Sequence, residues 1–209
     1  MTLPALRHAG INLGGTDPHA HDRAEGAVFG FWMFLMSDAV IFALLVAVYG
    51  TMVASTAGGP SPASEFEMAP ILVETVLLLT SSLTFGLAVL AMKHDGGARR
   101  RMLGWLAVTL ALGLAFLAME WRDFATMLSH GAHPSRSGFL SAFFALVPLH
   151  GLHVAAGCLW LVVMVAQALV HGLDARTKVN LLRLSLFWHF LDIVWIAIFS
   201  VVYLPGMMR

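Results

Sequence analysis

Charge is what this chain has least of. Lys, Arg, Asp and Glu together make up 11% of its 209 residues, against roughly 25% in an ordinary soluble domain. The twelve basic residues balance the twelve acidic ones, and without a basic surplus nucleic acid is not an expected partner. Cysteine is nearly missing as well. The single Cys158 lies inside an apolar run, which excludes an intrachain disulfide and any Cys-x-x-Cys metal or haem-attachment site. There is no Gly-rich phosphate loop of the Walker type, no Gly-x-Ser-x-Gly elbow and no His-Glu-x-x-His. The N-terminal stretch has no apolar segment behind a basic start, so it reads as a tail and not as a cleaved signal peptide. That tail, residues 1–26, holds Pro4, Pro18, Gly10, Gly14 and Gly15 with His8, His19 and His21. A solvated, flexible segment is the ordinary reading of such a composition, and weak metal binding the lesser one.

What the chain has instead is apolar length, 59% hydrophobic residues gathered into five runs: Phe29 to Val53, Ile71 to Met92, Met102 to Met119, Phe139 to Val170 and Leu184 to Leu204. A helix rises about 1.5 Å per residue against roughly 30 Å of bilayer hydrocarbon, so a run of about 20 residues crosses once. None of the five alternates apolar with polar, and all exceed the length of a transmembrane strand, which favours helices over a barrel. The expectation is an all-α membrane domain of five transmembrane helices over residues 27–209. The fourth run would extend about 48 Å as a helix, more than the hydrocarbon is thick, so it must tilt, protrude or bend. Pro148, lacking a backbone donor, is the expected bend.

Orientation follows from the basic residues. With the tail inside, the cytoplasmic side collects Arg7, Arg23, Lys93, Arg99, Arg100, Arg101, Arg176, Lys178 and Arg183, and the outer side keeps Arg122, Arg136 and Arg209. This bias predicts a cytoplasmic N-terminus and a periplasmic C-terminus. The first outer loop, with Glu65 and Glu67 and no base, agrees.

The polar residues inside the runs are the candidate functional groups. An ionised carboxylate at the centre of a membrane helix costs roughly 2.5 to 3.5 kcal/mol by insertion scales, so each needs a partner or a place to hide. Asp192 sits near the middle of the last run, and His189, three residues back on the same helical face, is its nearest partner. Asp38 lies mid-span in the first run with only the Ser37 hydroxyl beside it, and calls for a partner on another helix. Glu74 and Glu120 stand near the outer ends of the second and third runs, shallow enough to reach interfacial water. His150 and His153 share a face in His-Gly-Leu-His, with Gly157 a turn further on, where small residues let a neighbouring helix approach closely. Thr80, Ser81, Ser82 and Thr84 read as helix-packing glue, because no base lies near them in sequence.

Two functional readings compete on these residues. Neutral imidazoles suit haem, and His150 or His153 with His189 could make a small haem-binding cytochrome or anchor subunit. A copper-haem centre would need more histidines than the bundle contains. Spacing alone favours the alternative, in which the histidines bond to carboxylates or carbonyls within the bundle. A proton-coupled carrier on Asp38, Glu74 and Glu120 is weaker, since no repeated pair of broken helices is visible.

Four stretches in order carry a resemblance: Phe-Trp-Met-Phe-Leu-Met-Ser-Asp (Phe31 to Asp38), Ser-Gly-Phe-Leu-Ser-Ala-Phe-Phe-Ala-Leu-Val (Ser137 to Val147), His-Gly-Leu-His-Val (His150 to Val154) and Phe-Trp-His-Phe-Leu-Asp-Ile-Val-Trp (Phe187 to Trp195). Together they resemble subunit III of the haem-copper terminal oxidases. The five-span length is similar to the form found in bacterial cytochrome o ubiquinol oxidases. The resemblance implies a non-catalytic, multi-pass subunit of the bacterial inner membrane. It carries no cofactor of its own, packs against the haem- and copper-bearing subunit I beside subunits II and IV, and holds phospholipid in an intramembrane cleft. The whole complex then oxidises ubiquinol, reduces oxygen to water and moves protons outward. On this reading Asp38, Glu74, Glu120, His150, His153, His189 and Asp192 are cleft-lining or subunit-packing residues. Pro148-Leu149 departs from the family pattern, where smaller residues are expected.

Overall fold

In the computed structural model, the described residues are 20–62, 66, 68–93, 98–170 and 172–207. His8, His19, Arg7, Glu65, Glu67 and Arg209 lie outside them, as do the side chains of His21, Arg23 and Lys93. Five long helices carry the chain: α1 (Ala20–Met52), α2 (Met68–Lys93), α3 (Ala98–Ser129), α4 (Gly138–Val170) and α5 (Ala175–Ile198). All five contain a segment long and apolar enough to cross a membrane, and no strand occurs among the described residues. α1 begins within the stretch assigned to the tail, so residues 20–26 are helical.

The helix ends follow local chemistry. Asp174 caps α5 by accepting from the Thr177 amide at 2.8 Å, which satisfies one of the unpaired amides of the first turn. α3 ends where Gly131 turns to φ +79°, with the Ala132 amide bonded to the Met127 carbonyl at 3.0 Å and the Gly131 amide to Leu128 at 3.1 Å. That pair of bonds is a Schellman turn, and the left-handed residue is the glycine for which it costs least. A short 3-10 turn, Pro134–Arg136, leads into α4.

α4 runs as one helix through Pro148, the proline expected to bend it. The break in regular geometry comes in the last span, where α5 passes at Phe199–Tyr203 into a π-helical turn and then into α6 (Leu204–Met207). The third span is also longer than its apolar run: α3 continues nine residues past Glu120, so that residue stands well inside a helix.

α2, α3, α4 and α5 contact one another in a ring, and α1 lies against α4 and α5. α1 keeps Phe29, Phe34, Val40 and Leu44 exposed on its outer face. α5 is the most enclosed helix, with Trp188, Leu191, Trp195 and Ile198 all buried. Trp188 enters a slot made by two glycines, one on each flanking helix. A Cβ on Gly113 of α3 would stand 2.9 Å from the indole, and one on Gly157 of α4 would stand 3.2 Å from it. Gly157, the small residue read from the sequence, and Gly113, which was not, together admit a ring from the neighbouring helix, and close van der Waals fit of this kind is what holds helices together in lipid.

Candidate functional site

The intramembrane polar residues fall into three groups. The first joins α1 to α4. Asp38 Oδ2 lies 3.9 Å from His153 Nε2, a partner on another helix as the sequence demands. His153 Nδ1 donates to the Leu149 carbonyl at 2.7 Å, and since a carbonyl only accepts, that nitrogen carries a proton. His150, one turn earlier, is fully buried, and neither ring nitrogen has a hydrogen-bond partner. It is boxed by aromatics instead: stacked on Trp195 with centroids 5.3 Å apart, and edge-on to Phe116 at 6.0 Å and Phe42 at 6.3 Å.

The second group joins α5 to α2. His189 Nδ1 lies 2.6 Å from Ser82 Oγ and 3.7 Å from Asp192 Oδ2. Serine and aspartate thus compete for one nitrogen, whereas a hydrolytic triad needs them on opposite nitrogens of the imidazole, so the three do not form one. Trp188 Nε1 donates to Ser81 Oγ at 2.9 Å and Trp195 Nε1 to Thr75 Oγ1 at 3.1 Å. Thr84 and Thr109 bridge α2 to α3 at 2.8 Å. Ser81, Ser82 and Thr84 thus act as helix-packing glue in the sense expected, with partners, His189 among them, that the sequence did not name. An open groove beside this group is lined by Ser82, His189 and Asp192 among leucines.

The third group sits at the end of the bundle where α2 begins and α3 ends. Glu74 and Glu120 are 2% and 4% exposed, which revises their expected place at the water interface. The Glu120 carboxylate packs on Gly151 where a Cβ would otherwise stand, so the glycine of His-Gly-Leu-His makes room for an acid on α3. Oε1 of each glutamate lacks a hydrogen-bond partner. Both line a cavity of about 300 Å³ with Asp123, Arg122, His130 and Tyr203. Asp123 and Tyr203 were not foreseen. Asp123 could have been found, three residues after Glu120 and so on its face; Tyr203 is delivered by the π-helical turn, which leaves no pattern of apolar spacing.

His153 addresses α1 while His189 addresses α2, and among the described residues no group of three His, Cys, Asp or Glu side chains is arranged to hold a metal ion.

The family profile described as Cytochrome c oxidase subunit III matches residues 11–207. The chain is 52% identical over 194 residues to "Cytochrome bo(3) ubiquinol oxidase subunit 3" of Pseudomonas aeruginosa, covering 93% of this chain and 92% of that one. Its namesake from Pseudomonas putida is 49% identical over 188 residues, 90% of each chain. "Cytochrome c oxidase subunit 3" of Bacillus sp. strain PS3 is 40% identical over 206 residues, 99% of this chain and 94% of the other. Chain length therefore does not separate quinol from cytochrome c as electron donor, although the five-span count was read that way.

Proposed function

The chain belongs to the cytochrome c oxidase subunit III family, and from that premise we propose that it is subunit III of a ubiquinol oxidase of the cytochrome bo(3) kind. The observation that carries this reading is the 52% identity to a subunit so named over 93% of the chain. It is a multi-pass protein of the bacterial inner membrane. Subunit I holds the haem and copper, subunits II and IV complete the assembly, and this chain brings no redox centre of its own. Its part is to steady subunit I and to hold phospholipid against the polar residues of its helices. The Asp38–His153 pair joins α1, the least enclosed helix, to α4, and is the group through which α1 is held at mid-span.

Purifying the complex through a tag on this chain tests the reading. A haem-bearing partner is expected to co-purify, while the separated chain shows no Soret band. Asp38→Ala is expected to leave initial turnover near normal and to shorten the working lifetime of the oxidase. Unchanged lifetime, lipid content and assembly would remove Asp38 from the account.

The basic residues support a cytoplasmic N-terminus and a periplasmic C-terminus. Arg99, Arg100, Arg101, Arg176, Lys178 and Arg183 then mark the inner end, and the Glu74–Glu120 cavity opens outward. Cys158 is buried, so a cysteine introduced in the α1–α2 loop reports on its own: labelling by an impermeant thiol reagent from outside is expected, and protection there would reverse the orientation.

A further inference from the structure

The cavity at the end of the bundle is lined by two buried acids, each with one carboxylate oxygen that lacks a hydrogen-bond partner. Glu74 enters it from α2 and Glu120 from α3, each more than nine-tenths buried and each with an unpartnered Oε1. The other charged or titratable groups that line it are Asp123, Arg122, His130 and Tyr203. Arg122 and His130 are exposed at the rim, so the only fixed positive charge stands at the mouth and not beside the glutamates. Both side chains line about 300 Å³ of room, space for about ten waters, and each keeps one carboxylate oxygen without a hydrogen-bond partner.

The lining says what kind of cation fits. The acids are not gathered into a metal-binding set, and a bare ion would leave most of the volume unused. The rings of Phe66, Phe124 and Phe143 also line it, and aromatic faces attract organic cations while covering an alkyl stem. A primary ammonium carries three N–H donors, enough for both glutamates and a third acceptor, and ammonium–carboxylate bonds are among the stronger hydrogen bonds.

We propose that this cavity binds a primary ammonium group, held by Glu74 and Glu120 and walled by Phe66, Phe124 and Phe143. Two sources carry that chemistry, the headgroup of an aminophospholipid and a soluble alkylamine. The site is drawn from residues of this chain and does not rest on the identity of the electron donor.

The test uses the intact, purified oxidase complex. In one arm butylamine is titrated against the complex in phosphatidylcholine nanodiscs, with butyltrimethylammonium as a control that keeps the charge but has no N–H. In the other, retention of phosphatidylethanolamine is compared with that of phosphatidylcholine by native mass spectrometry. In at least one arm the primary amine is expected to bind stoichiometrically and about tenfold or more tightly than its trimethylated counterpart, and the Glu74→Gln/Glu120→Gln double variant to lose about tenfold or more of that affinity. The arm that responds names the source. Equal binding of the primary and quaternary amines, or equal binding by wild type and variant in both arms, overturns the proposal. Should the double variant fail to assemble, the single variants and the wild-type comparison of the two amines decide it. A complex that does not co-purify at all speaks against the proposed function; loss of discrimination in an intact complex speaks only against this site.

Discussion

The Trp188–His189 side of the bundle and its Glu74–Glu120 end solve the same problem in opposite ways. Both put polar side chains into a structure built to exclude water. On the first, Trp188 bonds Ser81, His189 bonds Ser82, and two glycines close on the indole, so these donors are answered within the chain and rigid rings fill the gaps, while the Asp192 carboxylate lies 3.7 Å from His189 with neither oxygen hydrogen-bonded. At the second, the acids keep unpartnered oxygens and face a cavity. Answered contacts such as Trp188–Ser81 are structural, whereas unsatisfied acids that also line an enclosed cavity, as Glu74 and Glu120 do, call for an explanation of their own.

A matched pair of glycine substitutions puts the comparison under the greatest strain. Gly113→Ala drives a methyl toward a buried indole that cannot retreat, and is expected to cost about 2 kcal/mol of stability, the range for overpacking a tight core. Gly151→Ala meets only the end of Glu120, which can swing into the cavity, and should cost less than about 1 kcal/mol. The gain in helix propensity, up to about 1 kcal/mol, is the same at both positions and cancels from the difference. Equilibrium unfolding of the reconstituted chain measures both; equal losses would mean that the two regions are packed alike.

Removing the polar contacts sharpens the same contrast on a smaller scale. Ser82→Ala strips His189 of a helix-to-helix hydrogen bond and is expected to cost about 0.6 kcal/mol, with about 1.7 kcal/mol as a ceiling for such bonds in membranes. Glu120→Gln removes an acid whose Oε1 has no partner and should leave the stability of the amine-free chain unchanged or slightly higher. A larger loss from Glu120→Gln than from Ser82→Ala would show that the cavity acids are structural after all.

Much of this division was legible in the sequence, and its limits have physical causes. The five spans follow from apolar length, because a bilayer imposes a length that a soluble core does not. The partnership of His189 with Asp192 follows from helical spacing, and the need of Asp38 for a partner elsewhere follows from the cost of a carboxylate in hydrocarbon. What hydropathy could not separate was depth from burial. Glu74 and Glu120 were placed at the water interface because they stand near run ends, but α3 continues past its apolar run and both acids turn inward. Nor could the spacing rank the spans. In α1 11% of the most apolar window is buried, and in the last span 56%, at nearly equal hydropathy, a difference made by neighbours that only the fold supplies.

The π-helical turn at Phe199–Tyr203 amounts to one surplus residue in an otherwise regular helix. Everything after it is rotated by about 100° from where an unbroken α-helix would aim it. Deleting a single residue there would iron the span flat and leave its hydropathy profile almost untouched, yet it would swing Tyr203 away from Phe66, whose ring it now meets at 4.8 Å, and open one wall of the chamber.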